Sequence, residues 1–161
     1  MALNAYLRLK GDKQGEIKGS VTQKGREGRI MVFAASHSIE SPWDPDSGLP
    51  IGKRRHEPFV ITKEVDKSTP LLYTMLINNK NISEWELQFW QPSMSGIEVN
   101  HYAVKLTNAI IASIDFAMPD NKDPNLMKRA ECEEIAFTYQ NIQWTWNDGG
   151  ITSLDDWISR A

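Results

Sequence analysis

Apolar and polar residues alternate with period two along most of this chain, the signature of half-buried β-strands. From Leu3 to Leu9, the residues Leu3, Ala5, Leu7 and Leu9 share one face, and Asn4, Tyr6 and Arg8 share the other. Glu84 to Trp90 alternates sharply, with Trp85, Leu87 and Phe89 opposite Glu84, Glu86 and Gln88. Phe59–Val65, Val99–Leu106, Ala109–Met118, Ala130–Tyr139 and Ile142–Trp146 extend the β set, and a short strand is expected near Ile17–Val21. Arg29–Ile39 reads as a further strand. Its first half is apolar on both faces, which predicts a central position.

Turn chemistry separates these runs. Gly11–Gly28 is charged and glycine-rich, and Pro92–Gly96 and Pro119–Pro124 are further breaks. Ser41–Glu57 holds Pro42, Pro45 and Pro50, predicting a long ordered loop; loops beyond about 12 to 15 residues usually have a task. One helix is expected. Ser68 is its candidate cap, Pro70 suits the first turn, Asp66 sits at the favourable dipole end, and Asn78-Asn79 stop it. Leu71, Leu72, Met75 and Leu76 give it an apolar stripe, which must dock because so short a helix is marginal alone. These elements predict one mainly β domain over residues 1–161: an antiparallel barrel or two-sheet structure closed at one end by the helix.

Composition narrows the function. With 161 residues the chain is long enough to bury a core, and a net charge of −3 gives no global pull toward nucleic acid or anionic membrane. A single cysteine, Cys132, excludes an intramolecular disulfide framework and a multi-cysteine zinc site. The first residues lack the basic start and apolar run of a signal peptide, and no stretch reaches the roughly 18 apolar residues of a membrane helix.

Candidate chemistry is sparse. His37, His56 and His101 lack the spacing of a helical metal site and read as unrelated strand or loop residues. Flanking carboxylates work against a reactive Cys132 thiolate. Glu131, Glu133 and Glu134 read as a solvated strand edge rather than an acid–base pair. Trp85, Trp144 and Trp146 fall in phase with core positions, leaving Trp43 and Trp157 as candidates for exposed contacts. No nucleophile, cofactor site or metal site is expected, and the chain is not read as an enzyme. The run Lys53, Arg54, Arg55, His56 is a weak nucleic-acid signal; contact with an acidic neighbour fits it better, with Asp44, Asp46 and the late carboxylates as partners. An alternative from another class is a monomeric carbohydrate-binding β-sandwich using its tryptophans.

Several segments in order give a further constraint. AYLRLKG at Ala5–Gly11, SPWDPDSGLP at Ser41–Pro50 and GKRRHEPFVITKEVDKSTPLLY at Gly52–Tyr73 are followed by YAVKLTNAIIASIDFAMP, EEIAFTYQNIQWTW and LDDW. Together they resemble the hemolysin-coregulated protein (Hcp) family of the bacterial type VI secretion system. The resemblance implies a homohexameric ring that stacks into a tube, with a contractile sheath, a valine–glycine-repeat (VgrG-type) spike and effector proteins in the lumen as partners. It implies assembly in the cytoplasm and export without a cleaved signal. It also assigns the long loop to contacts between subunits and rings, with Trp43, Asp44, Asp46, Lys53, Arg54, Arg55 and His56 as the candidate residues. Some members carry a fused enzyme domain; about fifteen residues follow Trp146 here, and none is expected.

Overall fold

A computed structural model describes residues 1–158. Two antiparallel sheets enclose the core. The larger is built on β1 (Ala5–Gly11), which pairs along one side with β8 (Ile82–Pro92). Its other side is shared by β2 (Gly15–Ile17) and β3 (Ile30–Val32). Beyond β8 follow β9 (Glu98–Thr107), β12 (Asn141–Trp146) and β13 (Ile151–Asp156). The second sheet runs in the order β10 (Ile110–Ala117), β11 (Cys132–Thr138), β7 (Phe59–Glu64), β4 (Ala34–Ser36). A small ribbon of β5 (Ile39–Glu40) and β6 (Arg55–His56) stands apart. The expected mainly β, two-sheet architecture with one helix is what the chain adopts.

The run Arg29–Ile39 is not one central strand. β3 pairs β1 in the first sheet and β4 pairs β7 in the second, so the chain changes sheets at Phe33. Its two apolar faces reflect this crossing: Ile30 and Val32 face the core, while Phe33 is exposed. At the far side an isolated bridge, Ile82↔Ala109, brings β8 next to the start of β10.

The predicted alternation places the core. Leu7, Leu9, Trp85, Leu87, Ile61, Ile135 and Phe137 are buried from both sheets, and Trp85 sits edge-on between Phe59 and Phe137 at 5.1 and 5.4 Å. Leu3 is exposed, because β1 starts two residues later than the alternation suggests. On the opposite face Arg8 lies in register with Glu86, and Glu86 with Lys105, a ladder of opposite charges across three strands. Gly19 is required by packing, since a Cβ there would lie 2.5 Å from the Arg29 carbonyl oxygen.

The helix α1 spans Thr69–Ile77. Ser68 occupies the cap position without capping through its side chain; its hydroxyl and its N–H both donate to Asp66 Oδ1. Asp66 therefore organises the turn into the helix. Leu72 and Met75 are buried, while Leu71 is exposed, so the docked stripe is narrower than the sequence suggests. Asn79, at φ 48°, ends the helix in the left-handed region that asparagine tolerates.

Glu133 is not on a solvated edge. It lies in register with Lys63 on β7, and both side chains are fully buried. Lys63 Nζ donates to Glu133 Oε1 at 2.5 Å, to Thr69 Oγ1 at 3.1 Å and to the Glu64 carbonyl at 3.0 Å. Asp66 Oδ1 lies 3.1 Å from the same ammonium. The carboxylate that strand alternation sends inward is thus met by a cation on the neighbouring strand, and the pair ties β7, β11 and the start of α1 together.

Candidate functional site

Ser41–Glu57 is a protruding hairpin rather than an irregular loop. Pairing begins at its root, where Glu57 N–H donates to the Ser38 carbonyl and Ile39 and Glu40 oppose His56 and Arg55. It resumes further out, with Ile51 N–H on the Pro42 carbonyl at 2.8 Å and a bridge between Trp43 and Pro50. The tip closes between Asp44 and Leu49. There Asp44 Oδ1 accepts the N–H groups of Asp46 at 2.7 Å and Ser47 at 3.3 Å. Asp44 therefore shapes the turn, and Asp46 is the exposed acid of the pair.

The arm exposes apolar surface. Trp43 is 62%, Leu49 64% and Ile51 51% accessible, although a tryptophan normally finds cover. Of the basic run, Lys53 and Arg55 face solvent, while Arg54 and His56 turn inward. Arg54 binds Asp155 of β13 through two parallel contacts of 2.5 Å. The four candidates of the basic run thus divide into two accessible charges and two anchors.

The anchors belong to a larger cluster at the root. His56 is buried, its Nε2 lying 2.7 Å from Asp155 Oδ2 and its Nδ1 2.7 Å from the Tyr139 hydroxyl. His37 Nε2 approaches the same hydroxyl at 2.7 Å. The rings are fixed by stacking, His37 on Phe59 at 5.2 Å and His56 on Trp157 at 5.6 Å. His37 and His56 are therefore not unrelated, although 19 positions apart in sequence (56 − 37). Trp157, expected to be exposed, packs against the core edge-on to Tyr139 at 4.8 Å. The signal missed in the sequence is Tyr139 with Asp155, whose roles appear only when β11, β13 and the arm converge.

Electrostatics follow from this packing. The Arg54 guanidinium, assisted by His56, holds the Asp155 carboxyl down at about 2, against the opposing effect of burial. Burial, then the Asp155 charge, pushes the Tyr139 phenol far above its usual range. Burial and the neighbouring His56 lower the His37 imidazole, while a backbone hydrogen bond to Glu57 opposes them.

Elsewhere, His101 stands edge-on to Trp146 and away from this cluster. Cys132 is a half-buried free thiol lining an open cleft of about 860 Å³ with Met31, Phe33, Val65, Lys128 and Arg129. Among the described residues no three His, Cys, Asp or Glu side chains are grouped to hold a metal ion, and no helix is long and apolar enough to cross a membrane.

Known proteins share this architecture. The family described as "Type VI secretion system effector, Hcp" matches residues 6–146. The major exported protein of Pseudomonas aeruginosa is 36% identical, with 99% of this chain and 98% of that protein covered. A crystal structure of an Hcp protein superposes with a TM-score of 0.89 at 28% identity, covering 98% of this chain and 99% of the other. A mutant of the Hcp1 protein from the E. coli EAEC 042 pathovar gives 0.86 at 34% identity, covering 97% and 99%.

Proposed function

The chain belongs to the Hcp family of the type VI secretion system, and from that premise we propose that it is the structural subunit of the system's inner tube. The whole chain acts as one tube domain. Six copies close into a ring, rings stack into a tube within the contractile sheath beneath the VgrG-type spike, and effectors travel in the lumen. Export of the subunit itself follows from the same reading, which the name of the Pseudomonas relative favours.

The observation that carries the assembly reading is the arm: a rigid, internally hydrogen-bonded hairpin that leaves Trp43, Leu49 and Ile51 uncovered. Aromatic anchors of this kind dominate protein interfaces. A ring closed head to tail needs two different patches on each subunit. The arm supplies one, and the cleft, where Met31, Phe33 and Val65 lie among both basic (Lys128, Arg129) and acidic (Glu64, Asp66) side chains, supplies a mixed apolar and charged surface for the other. Light scattering on the purified protein is expected to give about 110 kDa, six times 18.3 kDa. A mass of one subunit at every concentration defeats the ring.

Stacking has a separate test. Because Arg54 is committed within the subunit, Lys53 and Arg55 are the charges of the basic run left to meet a neighbouring ring. Exposed ion pairs contribute only about 0 to 1 kcal/mol each. The double substitution Lys53→Ala with Arg55→Ala is therefore expected to leave the ring mass unchanged and to shorten tubes seen by negative-stain imaging. Tubes of parental length at all salt concentrations remove these two residues from the stacking contact.

A further inference from the structure

The two imidazoles at the arm's root face one hydroxyl from opposite sides, and this limits how many protons the cluster holds. We propose that His37, Tyr139, His56 and Asp155 form a proton-gated latch that holds the arm's root closed with at most one imidazole charged and opens it when both are charged.

Counting hydrogens gives the limit. The Asp155 carboxylate only accepts, so His56 Nε2 carries a hydrogen toward it. With both imidazoles neutral, His37 Nε2–H donates to the Tyr139 oxygen, and the Tyr139 O–H donates to His56 Nδ1. One additional proton is accommodated by reversal. His56 then donates through Nδ1–H to Tyr139, whose O–H donates to His37 Nε2, and the remaining His37 N–H is available to the Glu57 backbone. Both arrangements satisfy the contacts among His37, Tyr139, His56 and Asp155, and the second also supplies the His37 hydrogen for the Glu57 backbone.

A second proton does not fit. Both ring nitrogens facing Tyr139 would carry hydrogens, the phenolic hydrogen would lose its acceptor in the chain, and two cations would flank one oxygen. The surroundings do not relieve this. Arg54 adds a third positive charge, and Asp155 already binds both Arg54 and His56, with Asp156 adjacent to it in sequence. The remaining ring contacts are aromatic, from Phe59 and Trp157. On the arm itself, Glu40, Arg55 and Glu57 are exposed to solvent.

The sign of the pH effect follows. His37 in the closed latch is harder to protonate than a free imidazole. The open root therefore binds more protons, and the latch is held above about pH 6.5, the ordinary histidine value. Below that value the closed-to-open ratio falls by up to about tenfold per pH unit for one proton. What opens is the attachment of β5 and β6 to β13, because Arg54 and His56 are the arm's contacts to Asp155.

Hydrogen exchange on the full chain, corrected for intrinsic rates, tests the latch at about pH 7.5 and pH 5, on either side of the histidine range. The N–H groups of Glu57 and Trp157, both hydrogen-bonded at the root, are expected to lose about tenfold or more in protection at the lower pH. His37→Gln keeps a neutral group that can donate to or accept from the Tyr139 hydroxyl and removes the second charge, so its root is expected to stay protected at both values. Unchanged protection in the parent, or an equal pH response in His37→Gln, overturns the latch. If that variant does not fold, NMR titration of the parent decides: both imidazoles charged while the root amides keep their protection overturns it equally. A consequence for assembly, loss of ring mass at the lower pH, rests on reading the arm as an intersubunit contact. A parent that is monomeric at both values refutes that reading, while root exchange still tests the latch.

Discussion

Replacing Lys63 with methionine is expected to lower the free energy of unfolding by about 3 to 5 kcal/mol, the range for breaking one half of a buried ion pair. The physical cause is the charge left behind. Glu133 is fully buried, its Oε2 has no hydrogen-bond partner, and its Oε1 relies on Lys63 at 2.5 Å and Thr69 at 2.8 Å. Without the ammonium, one hydroxyl remains to solvate a carboxylate enclosed between two strands and a helix. The lesion also reaches the helix, because Lys63 contacts both Asp66 and Thr69 where α1 begins. Removing both charges together, as Lys63→Met with Glu133→Leu, is expected to recover most of the loss, since no buried charge is then stranded. Urea unfolding of the two single variants and the double variant measures this as a cycle. A Lys63→Met protein within about 1 kcal/mol of the parent excludes the buried pair as the tie between β7 and β11.

The same pair marks where sequence reasoning stopped. Strand alternation placed Leu7, Leu9, Trp85 and Leu87 correctly, because a period of two assigns a whole face once one member is known. The same rule puts Glu133 on the inward face with Ile135 and Phe137. Its acidity argued for solvent, and only the register with Lys63, set by strand pairing 70 positions away, resolves the conflict. β3 and β4 misled for a related reason, since one run of alternation does not reveal that the chain changes sheets partway. The arm was legible as a long ordered loop through its prolines, and Trp43 as its exposed aromatic. Its root was not. His37, Tyr139 and Asp155 are spread over more than a hundred positions and carry no spacing that links them. Long-range convergence of this kind is a product of topology, and the basic run concealed it by making Arg54 and His56 look as available as Lys53.

Replacing Asp155 with asparagine is expected to cost about 1 to 2 kcal/mol at neutral pH, and the cost is expected to disappear in acid. Asp155 is held at about 2, below the ordinary carboxyl value of 3.8, by Arg54 first and His56 after it. A carboxyl lowered in the folded state stabilises the fold above its unfolded value and loses that contribution as pH falls toward its folded value. The window for this group is therefore about pH 4 down to pH 2. The stabilisation is smaller than the full shift implies, because side-chain exposure of 21% leaves the pair partly screened by water. Parent and Asp155→Asn curves of stability against pH are expected to run apart at neutrality, to draw together below about pH 4 and to meet near pH 2. This window lies well below the histidine range of the latch, so the two effects separate on one pH axis. The asparagine variant also changes the latch, since an amide oxygen no longer offers His56 a charged partner. If instead the two curves stay parallel down to the lowest pH at which the parent is folded, Asp155 contributes no titrating stabilisation. The arm would then be held by packing of His56 and Tyr139 on Trp157 rather than by charge.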